Sequence, residues 1–198
     1  IMKILRIDSS ASTETGKSRL LTTRIIDELK KLGKSLEVTV RDLNESLPQV
    51  DGSWIAANNT KVGDLADEQK KTLSLSDKLV AEIEAADTLI IGVAVYNFSI
   101  PASLKLWVDL ICRAGKTFKY SDKGPEGLMT DKKAIICFAS GGTPFGSDID
   151  FASGYIRHIL GFIGIKDVTF IKADKHLMDN QSVNRANSAI DTLVQNYA

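Results

Sequence analysis

The chain has 198 residues, of which 43% are apolar, 7% aromatic and 25% charged, an ordinary globular composition that excludes a disordered, collagen-like or low-complexity protein. Its 25 Lys and Arg balance its 25 Asp and Glu, so no overall field draws it to nucleic acid or to an acidic membrane. With no charged-then-apolar leader and no apolar run of about 18 residues, neither a signal peptide nor a membrane span is expected; the expectation is one cytoplasmic domain over residues 1–198, translated from Met2.

Taken in order, Met2 to Ile7 reads as a short apolar strand ending at Asp8. Leu21, Ile25, Leu29 and Leu32 then fall at helical spacing, with Ser18 the expected N-cap and Gly33 the stop. Residues 36–43 alternate apolar and polar, the pattern of an edge strand. Residues 44–64, with Pro48, Gly52, Gly63 and an isolated Trp54, are long for a plain connection and are expected to be a functional or partly helical arm. A long helix follows over 66–85. Residues 88–95 are almost wholly apolar or glycine, as in a parallel strand covered on both faces. After Pro101, the residues Leu104, Val108 and Ile111 mark a further helix. Residues 115–131 carry no clear period. Ala134 to Ala139 is the next buried strand, Phe151, Tyr155, Ile159 and Phe162 trace a helix, Val168 to Ala173 is a fifth strand, and a helix from Val183 to Tyr197 ends the chain. Strands alternating with helices predict a three-layer α/β fold with a mostly parallel sheet and its site beyond the carboxyl ends of the strands.

Those ends carry distinctive loops. Ser9 to Ser18 is rich in hydroxyls and ends in Gly16-Lys17-Ser18 at a helix start, a suitable anion cradle because first-turn N–H groups lack intrahelical partners. It nearly matches a P-loop of nucleotide hydrolases, but Ala11 stands where that motif needs its first glycine. Tyr96-Asn97-Phe98 can grip a flat heterocycle by stacking and by its polar edge. Ser140-Gly141-Gly142 lets the backbone approach a ligand face. No serine elbow or metal-ligand spacing occurs; His158 and His176 stand alone, and Cys112 and Cys137 read as neither a disulfide nor nucleophiles. A cleft for a flat phosphorylated group without acid, base or metal leaves the chemistry to a cofactor, and flavin mononucleotide (FMN) fits.

At these residues the chain closely resembles the FMN-dependent NADH azoreductases, which also act as NAD(P)H:quinone oxidoreductases. The resemblance rests on Tyr96-Asn97-Phe98 with Pro101, Leu104-Lys105 and Asp109, then Arg113-Ala114-Gly115, Thr117-Phe118, Tyr120 and Gly124-Pro125-Glu126-Gly127-Leu128. It continues through Lys132-Lys133-Ala134, Gly141-Gly142 and Leu160-Gly161-Phe162-Ile163-Gly164, with Arg41-Asp42-Leu43 upstream. It implies a flavodoxin-like fold with a five-stranded parallel sheet of order 2-1-3-4-5, and a homodimer with FMN sites near the interface. By the same resemblance FMN is held by Ser10, Gly16, Lys17, Ser18, Val95, Tyr96, Asn97, Phe98, Ala139, Ser140, Gly141 and Gly142. Quinone or azo substrates meet Asn97, Phe98, Tyr120 and Phe162, and NADH or NADPH delivers hydride to flavin N5 in a ping-pong cycle. Gly16-Lys17, Val95 and Ala139-Ser140 depart from the family, which often has serine or glutamine at 16 and 17, methionine at 95 and Ser-Arg at 139–140. A non-enzymatic flavodoxin-type electron carrier is the other reading of this fold, but such carriers are strongly acidic and this chain is neutral.

Overall fold

Apolar runs with few polar interruptions satisfy both faces of a sheet at once, and the strands here follow that rule. The computed structural model describes residues 1–198. Its strands β1 (Met2–Asp8), β2 (Leu36–Asp42), β3 (Thr88–Ala94), β6 (Lys133–Ala139) and β7 (Asp167–Ala173) form one parallel sheet of order β2-β1-β3-β6-β7. A two-stranded antiparallel hairpin, β4 (Phe118–Ser121) with β5 (Gly124–Gly127), stands apart from it. With the hairpin set aside, the order is the expected 2-1-3-4-5.

Six α-helices, α1 (Lys17–Lys31), α2 (Gly52–Asn59), α3 (Asp67–Ala85), α4 (Ala102–Ile111), α5 (Ser153–Phe162) and α6 (Ser182–Gln195), cover the two faces. Strand alternation sorts the core: Ile4, Ile90, Ile135 and Cys137 face α1 and α6, whereas Leu5, Leu89, Ile91, Ile136 and Phe138 face α2 to α5. All seven residues of β3 are buried, as a central strand requires. No helix is long and apolar enough to cross a membrane.

Several local expectations are corrected. The N-cap of α1 is Gly16, and Ser18 lies inside the first turn. The 44–64 segment, by contrast, is partly helical as expected: it holds α2, capped by the Asp51 side chain accepting from the Trp54 N–H at 2.8 Å, and a 3-10 turn at Val62–Asp64. Trp54 and Phe118 are 8% and 7% exposed and belong to the interior, whereas Tyr120 on the hairpin is open to solvent. Phe151 precedes α5 and is exposed, so it does not share that helix's buried stripe.

Candidate functional site: a cleft at the switch point of the sheet

Chain order reverses between β1 and β3, where successive connections leave to opposite sides and open a crevice beyond the strand ends. Asp8 and Gly92 are paired there in register. A Cβ on Gly92 would come within 3.1 Å of Asp8 Oδ1 and within 3.4 and 3.5 Å of Thr22 and Ser18 on α1, so glycine lets that helix approach β3 closely. Asp8 is fully buried and its carboxylate accepts from Arg6 Nε at 2.7 Å and Thr22 Oγ1 at 2.8 Å. The Ser9 hydroxyl donates to the Gly92 carbonyl at 2.6 Å.

The first loop is braced from behind. Arg19 donates from Nε and Nη2 to the Ser10 carbonyl at 3.1 and 2.8 Å, and from Nη1 and Nη2 to Asp42 at 3.0 and 2.7 Å. The Asn44 amide adds a bond to the same carbonyl at 3.1 Å. This network holds the Asp42 carboxyl below the usual carboxylate range, chiefly through the Arg19 hydrogen bond. A Cβ at Gly16 would fall 2.4 Å from Ser10 Oγ and 2.6 Å from the Ser12 carbonyl, so the loop closes on itself only around glycine.

The first helical bond of α1 runs from Leu20 N–H to Gly16 O, which leaves the N–H groups of Lys17, Ser18 and Arg19 without intrahelical acceptors. Beside them the Ser18 hydroxyl is 1% exposed and has no hydrogen-bond partner. Buried polar atoms are rarely left so, and this one stands at the positive end of a helix. The near-match to a P-loop ends at the backbone, because no residue between 9 and 16 takes a positive φ.

A cavity of about 310 Å³ opens here, lined by Ser10, Gly16, Lys17, Ser18, Val95, Tyr96, Ala139 and Gly141 among the expected residues. Sequence reasoning missed Ser12, Thr15, Ala94, His176 and Leu177, which also line it. Asn97 faces an adjoining cavity of about 610 Å³ with Pro101, Lys105, Phe151 and Tyr155. Tyr96 and Ser99 exchange backbone bonds at 3.0 and 3.2 Å around Asn97 and Phe98, both in the left-handed region with φ of 50° and 71°. Two non-glycine residues in that region are strained, and such strain concentrates at functional sites. The Tyr96 hydroxyl accepts from the Ala11 N–H at 2.9 Å and so joins the first loop to the third.

Ser140 is 2% exposed and turned inward: its hydroxyl donates to the Thr143 carbonyl and accepts from the Lys175 N–H at 3.1 Å. It shapes the glycine loop and does not line the cavity; Gly142 is likewise outside the lining. Asp174 accepts from the Phe145 N–H at 2.8 Å and supports the same loop. Tyr120 on the hairpin and Phe162 at the end of α5 pack about Phe118, edge-on and tilted with ring centroids at 5.5 and 4.4 Å, and neither lines the cleft of its own chain. Burial pushes the Cys112 thiol up to about 11 and raises Cys137 further, so neither supplies a thiolate. No three His, Cys, Asp or Glu side chains meet as a metal-holding group. The arrangement offers unpaired donors and a cation at one end of a groove and an apolar, backbone-lined wall at the other.

A family model described as "flavodoxin-like fold" matches residues 2–196. Among curated relatives, the FMN-dependent NADH:quinone oxidoreductase 1 of Jannaschia sp. (strain CCS1) is 54% identical over 191 residues, covering 96% of this chain and 97% of that protein. The protein so named in Hahella chejuensis (strain KCTC 2396) is 48% identical, covering 92% and 90%. Among solved structures, an azoreductase from Bacillus anthracis superposes with a TM-score of 0.86 at 27% identity, covering 98% of each chain. An FMN-dependent NADH-azoreductase of the same species, in complex with FMN, superposes equally well at 22% identity over 100% of both chains and bears on the fold alone.

Proposed function

The chain belongs to the family of flavodoxin-like fold, and from that premise we propose that it is an FMN-dependent NADH:quinone oxidoreductase that also cleaves aromatic azo compounds reductively to amines. The observation that carries this reading is the buried, partnerless Ser18 hydroxyl beside the open N–H groups of α1 and the Lys17 side chain. A phosphate dianion satisfies all of them together, with Ser10 and Gly16 fixing the loop around it. The ring system then has the wall of Val95, Ala139 and Gly141, and the strained Tyr96-Asn97-Phe98 turn beside it.

When bound, FMN would supply the redox chemistry, taking hydride at N5 from NADH or NADPH and giving two electrons to a quinone in alternating half-reactions; an azo bond would need two such rounds, passing through a hydrazine before cleavage to two amines. The protein holds and orients. Backbone N–H groups of the glycine loop and the Asn97 amide present dipoles to the polar edge of the ring, an electrostatic contribution that needs no side-chain acid or base. Phe98, 51% exposed, stacks flat substrates. Tyr120 and Phe162 reach a cleft only from a second copy, so the working form in this reading is a cytoplasmic homodimer with shared sites. Lys17 in place of a family serine or glutamine adds charge to the phosphate end.

The test is direct. Purified protein mixed with FMN should acquire a protein-bound flavin spectrum and release FMN on denaturation. Steady-state rates at varied NADH and benzoquinone should give parallel double-reciprocal lines, and sedimentation should give twice 21.6 kDa. A folded protein that takes up no FMN overturns the reading. Intersecting lines overturn the alternating mechanism, and an active monomer overturns the shared site.

A further inference from the structure

Three titratable side chains line the cleft: Lys17, Tyr96 and His176. Tyr96 is committed to the Ala11 N–H, which leaves two groups of cationic type converging on one cavity. Lys17 takes part in no ion pair, and the His176 ring makes no hydrogen bond within the chain. They are close enough that the Lys17 ammonium disfavours a charge on His176. Two such groups lining one cavity, together with the unpartnered Ser18 hydroxyl, form a site suited to an anion.

His176 is held in place by its backbone. Its N–H donates to the Ser140 carbonyl at 3.0 Å, and the next N–H, of Leu177, donates to the Gly141 carbonyl at 3.2 Å. Just before it, Lys175 takes a φ of 53° and donates to Ser140 Oγ. The turn after β7 is therefore stitched along the glycine loop.

We propose that His176 is a phosphate-binding residue of the cofactor site, closing on the phosphate from the side opposite α1 and acting together with Lys17. The inference rests on the FMN reading above and adds to it a residue from the fifth strand end. The carboxylates nearby are engaged elsewhere: Asp174 accepts from Phe145, Asp179 pairs with Arg185, and Glu14 on the first loop is exposed and outside the cavity lining. The only other charged group on the turn is Lys175, and the third and fourth loops bring no charged side chain to the cavity.

A consequence for pH follows. In the free cleft His176 lies below its ordinary value of 6.5, first because burial disfavours its charged form and second because of Lys17. A phosphate dianion reverses that balance and raises it, so the imidazole takes up a proton as the cofactor binds. Protonation thus favours binding. The advantage is full below the free-state value and vanishes above the bound-state value.

The experiment is a fluorescence titration of the wild-type protein and His176→Gln with FMN and, separately, with riboflavin, between pH 5.5 and pH 8.5. Riboflavin has the same ring without the phosphate, and comparing the two proteins cancels the titration of the phosphate itself. At pH 6 the variant should bind FMN about tenfold more weakly than wild type, as expected for loss of one charge-assisted hydrogen bond, with riboflavin affinity unchanged. By pH 8.5 the two proteins should agree within about twofold. Equal FMN affinity of the two proteins at all pH values overturns the proposal, as does an equal loss for both flavins. A folded wild type that binds neither flavin overturns the FMN reading instead. Wild-type FMN binding with no contribution from residue 176 overturns only this inference.

Discussion

Arg19 is the residue whose loss should reveal how the first loop is held. Arg19→Met keeps most of the stem volume and removes four donated bonds, two to the Ser10 carbonyl and two to Asp42. The Ser10 carbonyl keeps its bond from Asn44 at 3.1 Å, so it is weakened and not orphaned. The Asp42 side chain is 32% exposed, so water takes over part of what the guanidinium supplied. Hydrogen bonds to a charged group contribute about 1.5–3 kcal/mol each, and breaking a buried pair costs about 3–5 kcal/mol; with those two discounts, the loss should be about 3 kcal/mol. For a chain of 198 residues that lowers Tm by roughly 6–12 °C. Urea denaturation of wild type, Arg19→Met, Asp42→Asn and the double variant measures the coupling directly. Acid adds a second check. Because Asp42 sits below the ordinary carboxylate range when folded, its contribution is complete above about pH 4 and fades as pH falls through the lower folded value. The gap between wild type and Arg19→Met should therefore narrow in strong acid. A variant within about 0.5 kcal/mol of wild type at pH 7, well below the range expected for a broken buried pair, would refute the bracing role. So would a gap that stays constant down to pH 2.

Gly16→Ala should disturb the same loop from the front. Its Cβ would lie 2.6 Å from the Ser12 carbonyl, a backbone atom that cannot swing aside, so a destabilisation of about 1–3 kcal/mol and at least a tenfold loss of FMN affinity are expected by titration. Wild-type affinity in that variant would show that the loop's closed shape is irrelevant to binding. At Asn97, with φ of 50°, alanine should be less stable than glycine by roughly 1 kcal/mol in thermal denaturation, opposite to their order in ordinary backbone. Equal stability of the two would mean the turn relaxes without strain.

Strand order and helix layers were legible because β3 and β6 are buried on both faces and therefore appear as unbroken apolar runs, 88–94 and 134–139. The hairpin escaped for the converse reason. Of Phe118 to Ser121 only Phe118 is buried, and Gly124 to Gly127 contains Pro125, so neither period nor propensity marks them as strands. Ser18 satisfies the usual rule for an N-cap, yet the tight packing of Gly16 on Ser10 starts the helix earlier and leaves the hydroxyl free for the cleft. The left-handed pair Asn97 and Phe98 has no sequence signature, since asparagine tolerates that region but phenylalanine does not favour it. His176 was unreadable as a site residue because only the stitching of its turn to Ser140 and Gly141 brings it to the cavity that Lys17 and Ser18 line.

The hairpin meets the end of α5 backbone to backbone, beneath the Phe118–Phe162 ring pair. A Cβ on Gly127 would lie 2.1 Å from the Gly164 nitrogen, Gly164 itself has φ of 106°, and the Met129 N–H donates to the Ile163 carbonyl at 2.8 Å. Contact between bare backbones leaves no rotamers to adjust, so Tyr120 on the hairpin and Phe162 on α5 form one rigid aromatic paddle. Such a paddle is ordered before anything touches it, and little conformational entropy remains to be lost when a flat ligand or a second copy arrives. The same rigidity means that any side chain at either glycine would tilt both rings together, so one small change in the backbone seam would reorient the whole aromatic face.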